Sequence, residues 1–168
     1  MKKLGEAMKR DDNTGYTVAV LIALLFVTVL LVAYYPVLKP PAKETTTIYL
    51  LDSQKKALNY TERLIVDQNN TFTVWVGVEN HMGKNQNCEV LLKMTTDPIS
   101  SLPFEADAEN RYLRTLENGE IWETLVEVTI NELGRYYVIF ELWIYDETGV
   151  LEFTNNFSVL GIEVVAQL

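Results

Sequence analysis

Residues 71–78 read TFTVWVGV. Phe72, Val74, Val76 and Val78 share one face, while Thr71, Thr73 and Trp75 take the other. A period of two is the signature of a half-buried β-strand, because successive side chains point to opposite faces of a sheet. The same period recurs downstream. In CEVLLKM (88–94), Cys88, Val90, Leu92 and Met94 fall together. In WETLVEVTI (122–130), Trp122, Thr124, Val126, Val128 and Ile130 oppose Glu123, Glu127 and Thr129. FSVLGIEVV (157–165) adds Leu160, Ile162 and Val164 to a last strand. RYYVIFELWIY (135–145) is apolar on both faces apart from Glu141, which predicts a central strand. With TIYLL (47–51) and TERLIV (61–66), about seven or eight strands are separated by the turn signals HMGKNQN, ENGE, NELG and DETG. That spacing predicts an all-β immunoglobulin-like sandwich over residues 45–168. The longest irregular piece, DPISSLPFEADAENRY (97–112), is expected to cross between the sheets or to hold a short helix.

Upstream the pattern changes. Residues 18–35 read VAVLIALLFVTVLLVAYY, with Thr28 alone outside the apolar set. About 20 residues of helix cross the roughly 30 Å of hydrocarbon in a bilayer, so residues 16–36 are expected to span a membrane and contact lipid. Tyr16, Tyr34 and Tyr35 suit the two interfaces. Pro36, Pro40 and Pro41 are expected to end the helix and stiffen a linker over 37–44. Lys2, Lys3, Lys9 and Arg10 precede the span, whereas only Lys39 and Lys43 closely follow it. The excess of positive charge on the first side puts the tail 1–15 in the cytoplasm and the C-terminal domain outside the cell membrane. A cleaved signal peptide would carry a shorter apolar core and a small-x-small site, and AYYPVLKPP offers neither. A pilin-type leader would be cut beside the helix after a basic residue, an arrangement that KRDDNTGY lacks.

Charge narrows the classes of partner. The chain has 14 basic and 23 acidic side chains, and 20 of those acids against 8 bases lie from Glu44 onward. A surface this acidic repels phosphate, which argues against nucleic acid as a partner and keeps the domain off anionic lipid headgroups. One cysteine cannot form an internal disulfide, so no disulfide scaffold holds the domain.

The apolar span with its YYPVL exit, followed by YLLDSQKKALNY (49–60) and FTVWVGVENHMGK (72–84), resembles an archaeal membrane family known as domain of unknown function 1616. ENGEIWETLVEV (117–128) and GRYYVIFELWIYD (134–146) are similar to the same family, and more broadly to immunoglobulin-like modules of prokaryotic surface proteins. The likeness runs from about residue 14 to 165. Members often carry more membrane helices, where this chain has one. Its motifs, Val78–Glu79–Asn80–His81 and Gly134–Arg135–Tyr136, mark a fold. The resemblance implies an extracytoplasmic sandwich on an anchor and supplies no catalytic residue.

Individual residues are read beside their plainer alternatives. His81 is the only histidine, and with Cys88 it falls short of the four ligands of a closed zinc site; a turn residue beside Gly83 is the simpler reading. Cys88 shares the parity of Val90 and Leu92 and is expected to be buried. Asp97, Glu105, Asp107 and Glu109 make an acidic loop without the pattern of a calcium loop, hence a solvated one. Asn59–Tyr60–Thr61, Asn69–Asn70–Thr71 and Asn156–Phe157–Ser158 are acceptor triplets for N-glycosylation. Trp75 and Tyr137 oppose the clearest apolar stripes and are candidates for an exposed aromatic contact with a partner, whereas Trp122 and Trp143 read as core.

No nucleophile–base pair, phosphate loop, cofactor motif or metal cluster is read. The expected function is therefore non-catalytic. The chain is read as a single-pass accessory or interaction subunit of a cell-envelope complex, for example of protein glycosylation or export, with a membrane or cell-surface protein as its partner. One alternative is a self-assembling surface or pilin-like filament subunit. A second is a carboxylate-dependent enzyme acting on surface glycans, which needs only two facing acids.

Overall fold

The computed structural model describes residues 12–38 and 44–167, in two units that are taken separately. The first is a helix, α1 (Asp12–Leu38). Every side chain from 15 to 35 is exposed, and residues 15–35 are long and apolar enough to cross a membrane. Thr28, in the middle of the stretch, donates its hydroxyl to the Leu24 carbonyl at 2.8 Å, so it brings no unmatched donor into an apolar setting. The helix does not stop at Pro36 but continues to Leu38. Proline forfeits one backbone hydrogen bond, yet its fixed φ is helical, and that suffices so near a terminus. The basic residues of the tail and the prolines at 40 and 41 lie outside the described residues, as does most of the linker.

The second unit is a sandwich of eight strands: β1 (Thr45–Leu51), β2 (Arg63–Ile65), β3 (Thr71–His81), β4 (Gln86–Thr95), β5 (Asn110–Leu116), β6 (Ile121–Thr129), β7 (Gly134–Tyr145) and β8 (Leu151–Val165). One sheet has the order β1-β3-β6, the other β2-β8-β7-β4-β5. All pairings are antiparallel except the short β2, which runs parallel to β8. Phe72, Val74, Val76 and Val78 of β3 and Val126 and Val128 of β6 face Cys88, Val90 and Leu92 of β4, Val138, Phe140 and Leu142 of β7, and Leu160, Ile162 and Val164 of β8 in one buried core. The alternation in the sequence is thus the alternation between core and outer face.

β7 is central, as its two apolar faces require, but its outer face is not covered by another sheet. The segment 96–109 joins β4 to β5, which are neighbours in the same sheet. It neither crosses between sheets nor contains a helix. Instead it folds over the outer face of β4 and β7. Ile99, Leu102, Phe104, Ala106 and Ala108 are half-buried there, while Glu105, Asp107 and Glu109 point to solvent. Beneath it Leu91 and Ile139 are buried, although their parity is that of the outer face.

Glu141 fixes this cover. Its carboxylate is fully buried and lies 3.0 Å from the Lys93 ammonium. It also accepts hydrogen bonds from the Phe104 backbone N–H and the Trp143 indole N–H. Lys93 donates in turn to the Phe104 carbonyl at 2.6 Å. A buried charge is tolerable only when paired and hydrogen-bonded, and here both requirements are met by the loop that hides it.

Asn80, at the end of β3, has no solvent exposure. Its side-chain amide N–H group donates toward the carbonyls of Lys84, Leu116 and Glu117, and its Oδ1 accepts from the Met82 N–H. Gly119, at φ +82°, lets the turn between β5 and β6 bring its N–H to the Asn80 carbonyl. One amide thereby ties two turns at one end of the sandwich. At Gly77 of β3 a side chain would collide with the ring of Tyr49, its cross-strand partner on β1. The glycine is there so that an aromatic ring can lie flat on the strand.

Candidate interaction surface

The two aromatics singled out by parity lie on the outer faces of different sheets. Trp75 is on β3 of the three-stranded sheet, and Tyr137 on β7 of the five-stranded one. They cannot form one patch, and their surroundings differ. Lys55 lies 4.1 Å from the centre of the Trp75 ring and also pairs with Glu123. Glu123 accepts a hydrogen bond from the Tyr49 hydroxyl. This face is already capped by the chain's own charges. Burial, with help from the Glu123 charge, pushes the Tyr49 phenol up to about 12.

Tyr137 lies in a different setting. The start of the covering loop (Pro98, Ile99 and Leu102) and the outer side chains Tyr137, Phe157 and Val159 line a groove of about 550 Å³. Phe157 is 44% exposed, although it sits in the middle of a strand. The Arg135 guanidinium lies over the Tyr137 ring, 5.7 Å from its centre. The groove is therefore an apolar floor with aromatic walls and a cation at one rim. Its sides are tied in place: Tyr137, Phe157 and Val159 lie in the paired part of β7 and β8, and the buried Lys93–Glu141 pair holds the loop. Phe157 was not singled out by sequence reading. The signal was available, since it has the parity of Val159 and Gly161, opposite to the core residues Leu160 and Ile162.

The remaining candidates fall as follows. His81 is exposed, with its ring Nε2 3.3 Å from a Glu79 carboxylate oxygen. Cys88 is fully buried, and burial pushes its thiol up to about 11. No group of three or more His, Cys, Asp and Glu able to hold a metal occurs among the described residues. Glu89 and Glu141 are the buried glutamates on the outer side of the five-stranded sheet, and each is engaged. Glu89 accepts from the Tyr145 hydroxyl at 2.7 Å and lies 3.4 Å from Arg111.

The three acceptor asparagines also separate. Asn59 and Asn69 are exposed and line the same crevice of about 260 Å³ between the β1–β2 connection and the start of β3. Asn156 is half-buried on β8, and its amide donates to the Thr46 carbonyl of the opposite sheet at 2.7 Å. A register shift between Leu142 and Trp143, where Asn155 takes φ +61°, precedes this contact.

No family model matches the chain, and neither does any curated protein. Among solved structures, the CARDB domain of a Pyrococcus furiosus protein, crystallised with di-metal ions, aligns at a TM-score of 0.50 and 14% identity, covering 74% of this chain and 96% of that one. The solution structure of the same domain aligns at 0.49 and 14%, over 71% and 94%. The soluble domain of PmoD from Methylocystis aligns at 0.37 and 14%, over 74% and 94%. At this identity the first likeness shows architecture alone. The body of the chain is a two-sheet, eight-stranded immunoglobulin-like sandwich preceded by one apolar helix.

Proposed function

We propose that the chain is a non-catalytic, single-pass membrane protein whose outer sandwich docks onto a protein partner of the cell envelope. The observation that carries this reading is the Tyr137–Phe157 groove. A half-exposed phenylalanine in the middle of a strand, beside a tyrosine, a valine and the apolar residues Pro98, Ile99 and Leu102 of the covering loop, is what an interface core looks like before its partner arrives. The acidic remainder of the domain keeps it soluble and disfavours non-specific contacts. The apolar helix supplies the anchor, and the basic tail faces the cytoplasm. Membership of the archaeal family resembled by the sequence belongs to the same proposal.

The test is gentle detergent extraction of the tagged full-length chain from its native membrane. A stoichiometric partner protein is expected, and it is lost in Phe157→Asp while the sandwich stays folded by circular dichroism. Recovery of a lone monomer in several mild detergents overturns the proposal.

A second reading, self-assembly, has one specific observation in its favour. β6 is an edge strand that presents exposed Ile121 and Leu125, and β5 is an edge strand that presents exposed Leu113. Uncovered edges can pair with another copy. Concentration-independent monomers at high protein concentration would remove it.

A further inference from the structure

We infer that Asn59 and Asn69 are N-glycan acceptors and that Asn156, despite the same triplet, is not. The inference rests on the proposed orientation with the sandwich outside. The reaction is a group transfer from a lipid-linked oligosaccharide. The bond between the sugar C1 and the lipid phosphate oxygen breaks, and the phosphate leaves with the bonding pair. A bond from C1 to the asparagine Nδ2 forms, and one amide proton passes to a base of the transferase. Nothing is oxidised or reduced.

Such a transfer needs an amide nitrogen free of other duties, a chain that enters the transferase, and room for a bulky product. Asn59 has all three. It lies in the connection between β1 and β2, exposed and at φ +60°, and its side chain has no hydrogen-bond partner among the described residues. The hydroxyl-bearing Thr61 is in the same irregular segment. Asn69 sits in the turn between β2 and β3, exposed, with its side chain likewise unpartnered. Only its backbone is used, exchanging hydrogen bonds with Ile65. Thr71 of its triplet opens β3, where its hydroxyl meets that of Thr129 at the exposed surface. Both asparagines line one crevice, whose floor includes Leu64, Phe72 and Leu160. Sugars attached there would cover apolar groups at that side of the sandwich.

Asn156 fails on every count. Its Nδ2 is committed to the Thr46 carbonyl, which links the two sheets. Ser158, the hydroxyl residue of its triplet, is paired with Phe140 of the central strand. A sugar on this nitrogen replaces one of its two N–H hydrogens beside the Thr46 carbonyl and must fit between the sheets, so chains modified there do not reach the native fold.

The full chain is to be translated in the presence of endoplasmic-reticulum microsomes, which hold lipid-linked oligosaccharide and a transferase for Asn-X-Ser/Thr. The glycans are counted in the folded, protease-resistant fraction by gel mobility before and after enzymatic deglycosylation. Two glycans are expected. Asn59→Gln and Asn69→Gln each remove one, their combination removes both, and Asn156→Gln removes none. Leu133→Thr serves as the control. Leu133 is 58% exposed in the β6–β7 turn, and the change creates a triplet at the exposed Asn131. A glycan at Asn131 with fewer than two elsewhere overturns the assignment but leaves the orientation standing. A glycan lost with Asn156→Gln also overturns it. No glycan anywhere, control included, overturns the orientation and the assignment together.

Discussion

Replacing Lys93 with alanine removes the cation paired with Glu141. The two side chains are 7% and 0% exposed and 3.0 Å apart. Their mutual attraction largely offsets the cost of burying both, so the intact pair adds little net stability. Deleting one partner is different, because the carboxylate keeps its burial and loses its counter-charge. That costs about 3–5 kcal/mol, a large share of the roughly 5–15 kcal/mol that holds a domain together. For a sandwich of about 125 residues, an unfolding entropy near 2.1 cal/mol/K per residue turns this into a fall in Tm of about 11–19 °C. Lys93 also donates to Phe104, so the loop 96–109 loses one of its two hydrogen bonds at Phe104 and becomes the first site of proteolysis. The assay is thermal unfolding of the full-length chain in mild detergent, followed by limited proteolysis with mass mapping of the cuts. The pair replacement Lys93→Met with Glu141→Gln is the control, because it removes both charges and keeps a side-chain oxygen to accept from the Phe104 and Trp143 N–H groups. It is expected to recover most of the lost Tm. A fall of less than about 4 °C in Lys93→Ala, or a double variant no better than the single one, refutes the reasoning.

Three further outcomes follow from the same structure. Gly77→Ala forces the Tyr49 ring off its strand and breaks the hydrogen bond to Glu123; a loss of about 1–3 kcal/mol by chemical denaturation is expected, and an unchanged midpoint contradicts the packing. The Cys88 thiol, raised to about 11 by burial, stays unreactive to an aromatic disulfide reagent at pH 8 and releases one equivalent per chain only on unfolding. Rapid labelling of the native protein would show it exposed. Tyr49 has a folded pKa raised from 10.0 to about 12, so folding favours its neutral form. The stability tied to this shift is fully present below pH 10 and is lost as the pH rises through 12. Tyr49→Phe should flatten that alkaline loss relative to the native chain, and identical alkaline curves would refute the assignment.

The sandwich was legible because its core obeys a period of two: Val74, Val76, Val126 and Val128 face inward at the positions that alternation marks. Glu141 was visible as an exception in a doubly apolar strand, but its partner was not. Lys93 lies on a neighbouring strand one diagonal step away, and strand register is not written in either segment alone. The acids of the loop are solvated as expected, but the crossover or short helix expected of it is absent, because the residues between the acids turn inward. Its half-buried residues alternate with acids, which reads as a solvated stretch until the buried Leu91 and Ile139 beneath it are known. Asn80 sat within a quoted motif, yet only the structure shows two turns converging on one amide. Parity placed Trp75 and Tyr137 off the core, but it does not reveal that Lys55 caps the first while Phe157 and the loop build a groove beside the second.

The central claim is that this groove is where a partner protein binds. The most direct measurement places a photoreactive phenylalanine analogue at position 157 of the full-length chain, in its native membrane, with position 75 as the comparison. Irradiation is predicted to give one discrete adduct with a membrane or cell-surface protein from position 157 and none from position 75. Adducts from position 75 alone, or from neither position, would contradict the account.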